Sequence, residues 1–225
     1  MVNLHKKPVI IAAVAVVAVL GATVCAVRAW QSKSDSESVK TETVDPMTPE
    51  SPWTFYGDNS RFTFWAPQSL EARQADSPAT SESERIVLQQ AGLNDKKADA
   101  FRTYARIIFI YTPMSGGRHT FASAEDRPLD DEARRQLHTL ALRESAAGAI
   151  THGPEYGRML IGDTRALYVT YTRQGGEGPV CNTIYQLCND TESVEIITSY
   201  RAADSTRWGA DLRDVIRTFR WTQPQ

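Results

Sequence analysis

The side chains with the widest chemical repertoire in this 225-residue chain are four histidines, His5, His119, His138 and His152, and three cysteines, Cys25, Cys181 and Cys188. His119 follows Ser115-Gly116-Gly117-Arg118, and His152 lies in Ile150-Thr151-His152-Gly153-Pro154-Glu155. Both segments read as loops. Two loop histidines brought together with Glu155 or Asp163 would make a metal site or an acid–base pair, because imidazole both ligates metals and titrates near neutrality. No pair has the H-x-x-x-H or H-E-x-x-H spacing that puts two ligands on one helix face. The competing reading is of unconnected polar loop residues. His138 falls inside a helical pattern, where it reads as a surface or boundary residue. Ser115 to Arg118 offers a flexible backbone and a cation, as an anion nest would use; it also reads as an ordinary turn after a buried strand. The chain carries no P-loop, no G-x-S-x-G elbow, no G-x-G-x-x-G loop and no C-x-x-C pair. Gly116, Gly117, Arg118, His119, His152 and Glu155 are therefore candidate binding-loop residues. No catalytic residue, metal or cofactor is expected.

The cysteines pose a separate question. Cys25 sits in an apolar run and reads as a small apolar residue. Cys181 and Cys188 bracket CNTIYQLC. In an oxidising compartment two such thiols would pair. At opposite ends of one strand they would stand ~23 Å apart, and on one helix ~10 Å. A disulfide needs Cα atoms within about 7 Å. A bond between Cys181 and Cys188 and a strand through Ile184–Leu187 are thus mutually exclusive, and both readings stay open.

Whatever positions these residues, composition limits the partners. The formal net charge is −2, from 25 basic and 27 acidic residues. Lys6, Lys7 and Arg28 lie within the first thirty positions, which hold no acid, so the remainder is more acidic than the whole. Such a domain has no field for a polyphosphate backbone, and nucleic acid is excluded as a partner. With 41% hydrophobic and 9% aromatic residues it can build a packed core.

Residues 9–27, VIIAAVAVVAVLGATVCAV, carry no charge and as a helix would reach ~28 Å, about the thickness of a bilayer core. The stretch is a retained anchor or a cleaved signal. Three details favour the anchor. The run exceeds the ~7–15 residues of a cleaved h-region, Val27-Arg28-Ala29 puts a charge in the expected cleavage motif, and Trp30 suits an interface. A lipoprotein signal ending at Cys25 is a third reading, although Val24 precedes it where a small residue is wanted. His5, Lys6 and Lys7 keep the N-terminus cytoplasmic, which places the rest beyond the membrane, in a bacterium the periplasm. Ala18, Ala22 and Ala26 form a small-residue row, which the abundance of alanine here also explains.

Residues 31–52 hold only Val39, Val44 and Met47 as apolar side chains and read as a flexible tether. The expected organisation is a cytoplasmic stub over 1–8, a span over 9–27, a linker over 28–52 and one domain over 53–225. Within it, Trp53–Tyr56 and Arg61–Trp65 read as a hairpin around Gly57-Asp58-Asn59-Ser60. Residues 71–84 read as a loop, and Asn94 as the cap of a helix over Asp95–Tyr104. Arg106–Tyr111 reads as a buried strand. A helix from Asp130 or Asp131 to about Ala147 would bury Ala133, Leu137, Leu140 and Ala141. Gly157–Ile161, Ala166–Thr172, Val180–Leu187 and Val194–Tyr200 read as strands. Trp208, Leu212, Val215, Ile216 and Phe219 recur at helical spacing, giving a closing helix with one apolar stripe. The fold class is α+β: an antiparallel sheet with helices packed on its faces, preceded by one N-terminal transmembrane helix and a disordered linker.

This element order, with FTFWAPQSL (62–70), RALYVTYT (165–172) and the closing W-x3-L-x2-VI-x2-F (208–219), resembles the Mog1/PsbP-like α/β/α sandwich, a group that includes bacterial envelope proteins similar to DcrB. The resemblance covers about residues 53–222 and transfers no active site. It implies binding or assembly more than catalysis. The expected function is a non-enzymatic, membrane-tethered periplasmic domain that binds a protein partner. A concrete form is an immunity protein neutralising a secretion-system toxin delivered to the envelope, since a leash raises effective concentration where the toxin acts. The alternative is an envelope housekeeping protein that binds a lipid, a small ligand or a secretion-machine component. A hydrolase built on His119 and His152 is a third reading.

Overall fold

Valine, isoleucine and tyrosine recur at alternate positions through much of the second half of the chain, and long paired strands follow from that pattern. The computed structural model describes residues 41–49, 52–57, 61–73, 84–92, 104–113, 129–145, 149–162, 164–189 and 191–222. Among these described residues eleven strands run in chain order: β1 (Thr41–Val44), β2 (Trp53–Tyr56), β3 (Phe62–Pro67), β4 (Leu70–Ala72), β5 (Glu84–Gln90), β6 (Ala105–Pro113), β7 (Ile150–Ile161), β8 (Thr164–Gly175), β9 (Gly178–Cys188), β10 (Glu192–Arg201) and β11 (Arg220–Trp221). The described residues also form two α-helices, α1 (Asp131–Glu144) and α2 (Ser205–Arg217), the latter entered through a 3-10 turn at Ala202–Asp204.

The main sheet has eight strands in the order β1-β7-β8-β9-β10-β6-β5-β4, and a second sheet has the order β11-β3-β2. Neighbours are antiparallel except β1, which lies parallel to β7. The sheet expected to be antiparallel is therefore mixed. The strand meander β7 to β10 is held by short turns. At β8–β9 the last ladder pair is Gly175 with Gly178, leaving Gly176-Glu177 as the connection, and Gly178 adopts φ 112°, open to glycine at no steric cost.

Each face of the main sheet builds its own core, because alternate side chains point opposite ways. On one face α1 lays Ala133, Leu137 and Ala141 against Ile108, Val169, Ile184 and Ile197. Asp130 caps this helix, its Oδ1 accepting the Ala133 N–H at 2.7 Å. On the other face α2 buries Trp208, Leu212, Val215 and Ile216, and β3 adds Phe62 and Phe64. Phe64 stacks on Phe109 of β6 with ring centroids 3.9 Å apart. Burying each such side chain contributes ~2 kcal/mol before entropy is counted. Helices thus sit on both faces, as the sequence predicts, with the small sheet beside α2.

Two stretches differ from expectation. Thr41–Val44, read as linker, forms β1. Edge strand β7 supplies the backbone partners, Val44 packs against the core, and Met47 N–H donates to the Arg217 carbonyl at 3.2 Å. A polar segment orders here because an existing edge satisfies its backbone. Glu84–Gln90, for which no strand is expected, forms β5 through its Ile86-Val87-Leu88 run, and β4 occupies the start of the expected 71–84 loop. The expected helix over 95–104 falls almost wholly outside the described residues. So does the apolar stretch 9–27; among the described residues no helix is long and apolar enough to cross a membrane.

Candidate functional site

Three short sequences, Tyr168-Val169-Thr170, Thr183-Ile184-Tyr185 and Thr198-Ser199-Tyr200, put a tyrosine and a threonine two residues apart, hence on one face of a strand. The register pairs Tyr168 with Tyr185, Thr170 with Thr183, and Thr183 with Thr198. A threonine row therefore crosses β8, β9 and β10, flanked by the Tyr168–Tyr185 pair on one side and Tyr200 on the other. The hydroxyls of Thr170 and Thr183 lie 2.5 Å apart, and Thr198 Oγ1 donates to the Thr183 carbonyl at 3.3 Å. This row floors a cleft of about 470 Å³ roofed by Gly209, Leu212 and Arg213 of α2, with Glu42 of β1 and Glu155 and Met159 of β7 on its walls. The volume lies in the range typical of small-molecule sites.

Two glycines keep the cleft open. A Cβ on Gly157, directly opposite Tyr168, would lie 2.1 Å from that ring's Cζ, so only glycine lets the phenol lie across β7. A Cβ on Gly209 would lie 3.4 Å from the Tyr200 hydroxyl, an ordinary contact. A larger side chain there would enter the cleft.

The electrostatics make the phenols donors. Burial pushes the Tyr185 hydroxyl well above its usual range, with the Arg213 cation pulling the other way. Tyr168 is likewise raised by burial first, with Glu42 adding and Arg213 opposing. Tyr200 is raised chiefly by burial. All three stay protonated through neutral pH. Tyr185 is only 8% exposed, and among the described residues its hydroxyl has no hydrogen-bond partner. At the mouth, Arg213 pairs with Glu42, their side chains 54% and 35% exposed. The assembly can bind and orient a polar ligand. Among the described residues the cleft lining holds no histidine or cysteine to act as base or nucleophile, and no group of three or more His, Cys, Asp or Glu could hold a metal.

Of the residues singled out from sequence, only some are described, and one of these lies on the cleft lining. Glu155 lines the cleft. His152 stands on β7, not in a loop, exposed and opposite Thr172 across a register shift. Gly116, Gly117, Arg118 and His119 lie outside the described residues. His138, on α1, places Nδ1 3.0 Å from the hydroxyl of Tyr156, a residue of the cleft lining whose side chain packs with the core on the α1 face. Cys181 and Cys188 are free thiols on one strand, β9, so the possible disulfide is not formed. The strand reading of CNTIYQLC holds because Ile184 and Leu187 find opposite cores, which keeps the chain extended. Sequence reasoning misses the tyrosine–threonine pairs and Arg213. Their signal is the repeated two-residue spacing, which gains meaning only when the strands are aligned.

No family model and no curated protein matches the chain. Among solved structures it is similar to cyanobacterial PsbP (CyanoP) from Synechocystis sp. PCC 6803, at 8% identity over 78% of this chain and 98% of that one, with a TM-score of 0.49. It is also similar to LpqN, involved in cell envelope biogenesis of Mycobacterium tuberculosis, at 9% identity over 79% and 89% of the two chains, with a TM-score of 0.46. No residue role is taken from either.

Proposed function

We propose that this chain is a non-enzymatic binding domain, held on the periplasmic side of a bacterial inner membrane by residues 9–27, and that a small polar ligand occupies the cleft beneath α2. The observation that carries the reading is Tyr185: a phenol of a residue only 8% exposed lines the cleft without a protein partner, so its O–H is open to a polar group placed there. The experiment is native mass spectrometry of the full chain extracted from its own membranes in mild detergent. The expected result is a bound small molecule that Gly209→Ala retains and Gly209→Leu loses. Bare polypeptide from the wild type, or a ligand that survives Gly209→Leu, overturns the reading.

The N-terminal apolar stretch favours a second reading, in which the domain meets a protein partner at the envelope, as an immunity protein meets its toxin. A tether raises the effective concentration of such a guard. Deleting the chain then exposes the cell to an envelope-directed toxin; a cell that stays protected rules this reading out.

A further inference from the structure

The cleft is rich in donors. Tyr168 and Tyr185 are held neutral and the Arg213 guanidinium donates only, so these groups on the lining can serve an acceptor, while the Tyr200 hydroxyl is already hydrogen-bonded to Cys181. The acceptor now there is this chain's own carboxylate, Glu42, bonded to Arg213 Nη2. Glu42 lines the cleft from its edge, whereas the threonines belong to central strands of the sheet. It sits on β1, a four-residue edge strand held by its pairing to β7, by Arg217 donating to the Asp45 carbonyl at 3.0 Å, and by Met47 donating to the Arg217 carbonyl. The pair is substantially exposed, so it holds Glu42 in place only weakly. A planar guanidinium beside hydroxyl donors matches a carboxylate fork, which accepts two bonds at once.

We propose that Glu42 is an internal stand-in for the carboxylate of the ligand, and that the cleft takes a small monocarboxylate whose acid group displaces Glu42 from Arg213 while its body lies over the threonine row between Tyr168, Tyr185 and Tyr200. This rests on the cleft being the binding site. Glu155 faces the same cleft and sets the charge limit: a second acid group on the ligand would meet it with like charge.

The test uses the full chain in detergent micelles with ring-labelled tyrosine, followed by NMR. The probe is N-acetyl-alanine, with N-acetyl-alaninamide as its neutral twin. The acid is expected to shift the ring signals of Tyr168, Tyr185 and Tyr200, and the amide to leave them in place. Glu42→Gln, which removes the competitor and keeps its shape, is expected to tighten acid binding about three- to fivefold, the worth of an exposed ion pair. Arg213→Gln is expected to abolish it in both backgrounds. Urea melts check that both variants fold. Unchanged or weaker affinity in Glu42→Gln, equal binding of the amide, or binding that survives Arg213→Gln overturns the inference. If a native ligand is nevertheless lost from Gly209→Leu, the cleft still binds and only the carboxylate assignment fails.

Discussion

Gly157 offers a sharp test of how the cleft is built. It stands opposite Tyr168 in the β7–β8 ladder, and a methyl group at its Cα would come within 2.1 Å of Cζ, 2.3 Å of the hydroxyl and 2.6 Å of Cε1. Ordinary contact between such atoms is ~3.5–4 Å, so Gly157→Ala must push the phenol aside by more than an ångström. The displaced ring loses its partner Tyr185, whose centroid is 5.8 Å away, at ~0.5–1.5 kcal/mol. Leaving its rotamer well costs a further ~0.5–1.5 kcal/mol. Against this, alanine recovers ~0.5–1 kcal/mol of chain entropy that glycine forfeits. The net is a loss of about 1 kcal/mol. In a Tyr168→Ala background the obstacle is gone and the same substitution becomes stabilising by ~0.5 kcal/mol. Urea unfolding of the four proteins, followed by tryptophan fluorescence, measures the difference as a coupling of about 1.5 kcal/mol. If Gly157→Ala has the same effect with and without the Tyr168 ring, the ring does not lie over Gly157 and the cleft wall is misplaced.

Two further outcomes follow from the cores. Phe64→Ala removes a fully buried ring stacked on Phe109 and is expected to cost ~3–5 kcal/mol, read as a lowered urea midpoint; a loss under ~1 kcal/mol would mean that the small sheet does not bear on the main one. Burial pushes the Cys188 thiol up to about 11 and the Tyr171 hydroxyl up to about 12, so the folded state holds both protons more tightly than the unfolded chain does. Stability is therefore full below the unfolded values, ~8.5 for the thiol and ~10 for the phenol, and declines as pH rises from there toward about 11–12. Urea midpoints at neutral pH, about pH 9.5 and about pH 11 check this, and a flat profile refutes it.

The closing helix is legible in the order of residues because Trp208, Leu212, Val215 and Ile216 recur at the helical period and one face has to be buried. The meander from β7 to β10 is legible in outline for the same reason at period two, and Asp130 marks the start of α1 through its capping chemistry. These are local properties, carried by spacing along the chain. The order of β1 is not local: the TETV backbone gains its ladder partners from the edge of β7, far along the chain at Arg158–Ile161. The state of Cys181 and Cys188 is decided in the same way, because extended and folded-back conformations of CNTIYQLC differ only in what packs on either side of it.

The candidate site belongs wholly to this second kind. Alternation along the chain is enough to put Tyr168 and Thr170, Thr183 and Tyr185, and Thr198 and Tyr200 each on one strand face. Nothing in that alternation makes the three faces coincide, gives a phenol room over Gly157, or brings Glu42 to Arg213 across 171 positions of chain; tertiary packing does. The reason is physical. Periodicity fixes which way a side chain points, but ladder register and the docking of α2 fix what it points at, and those depend on contacts between residues that the chain's order keeps far apart.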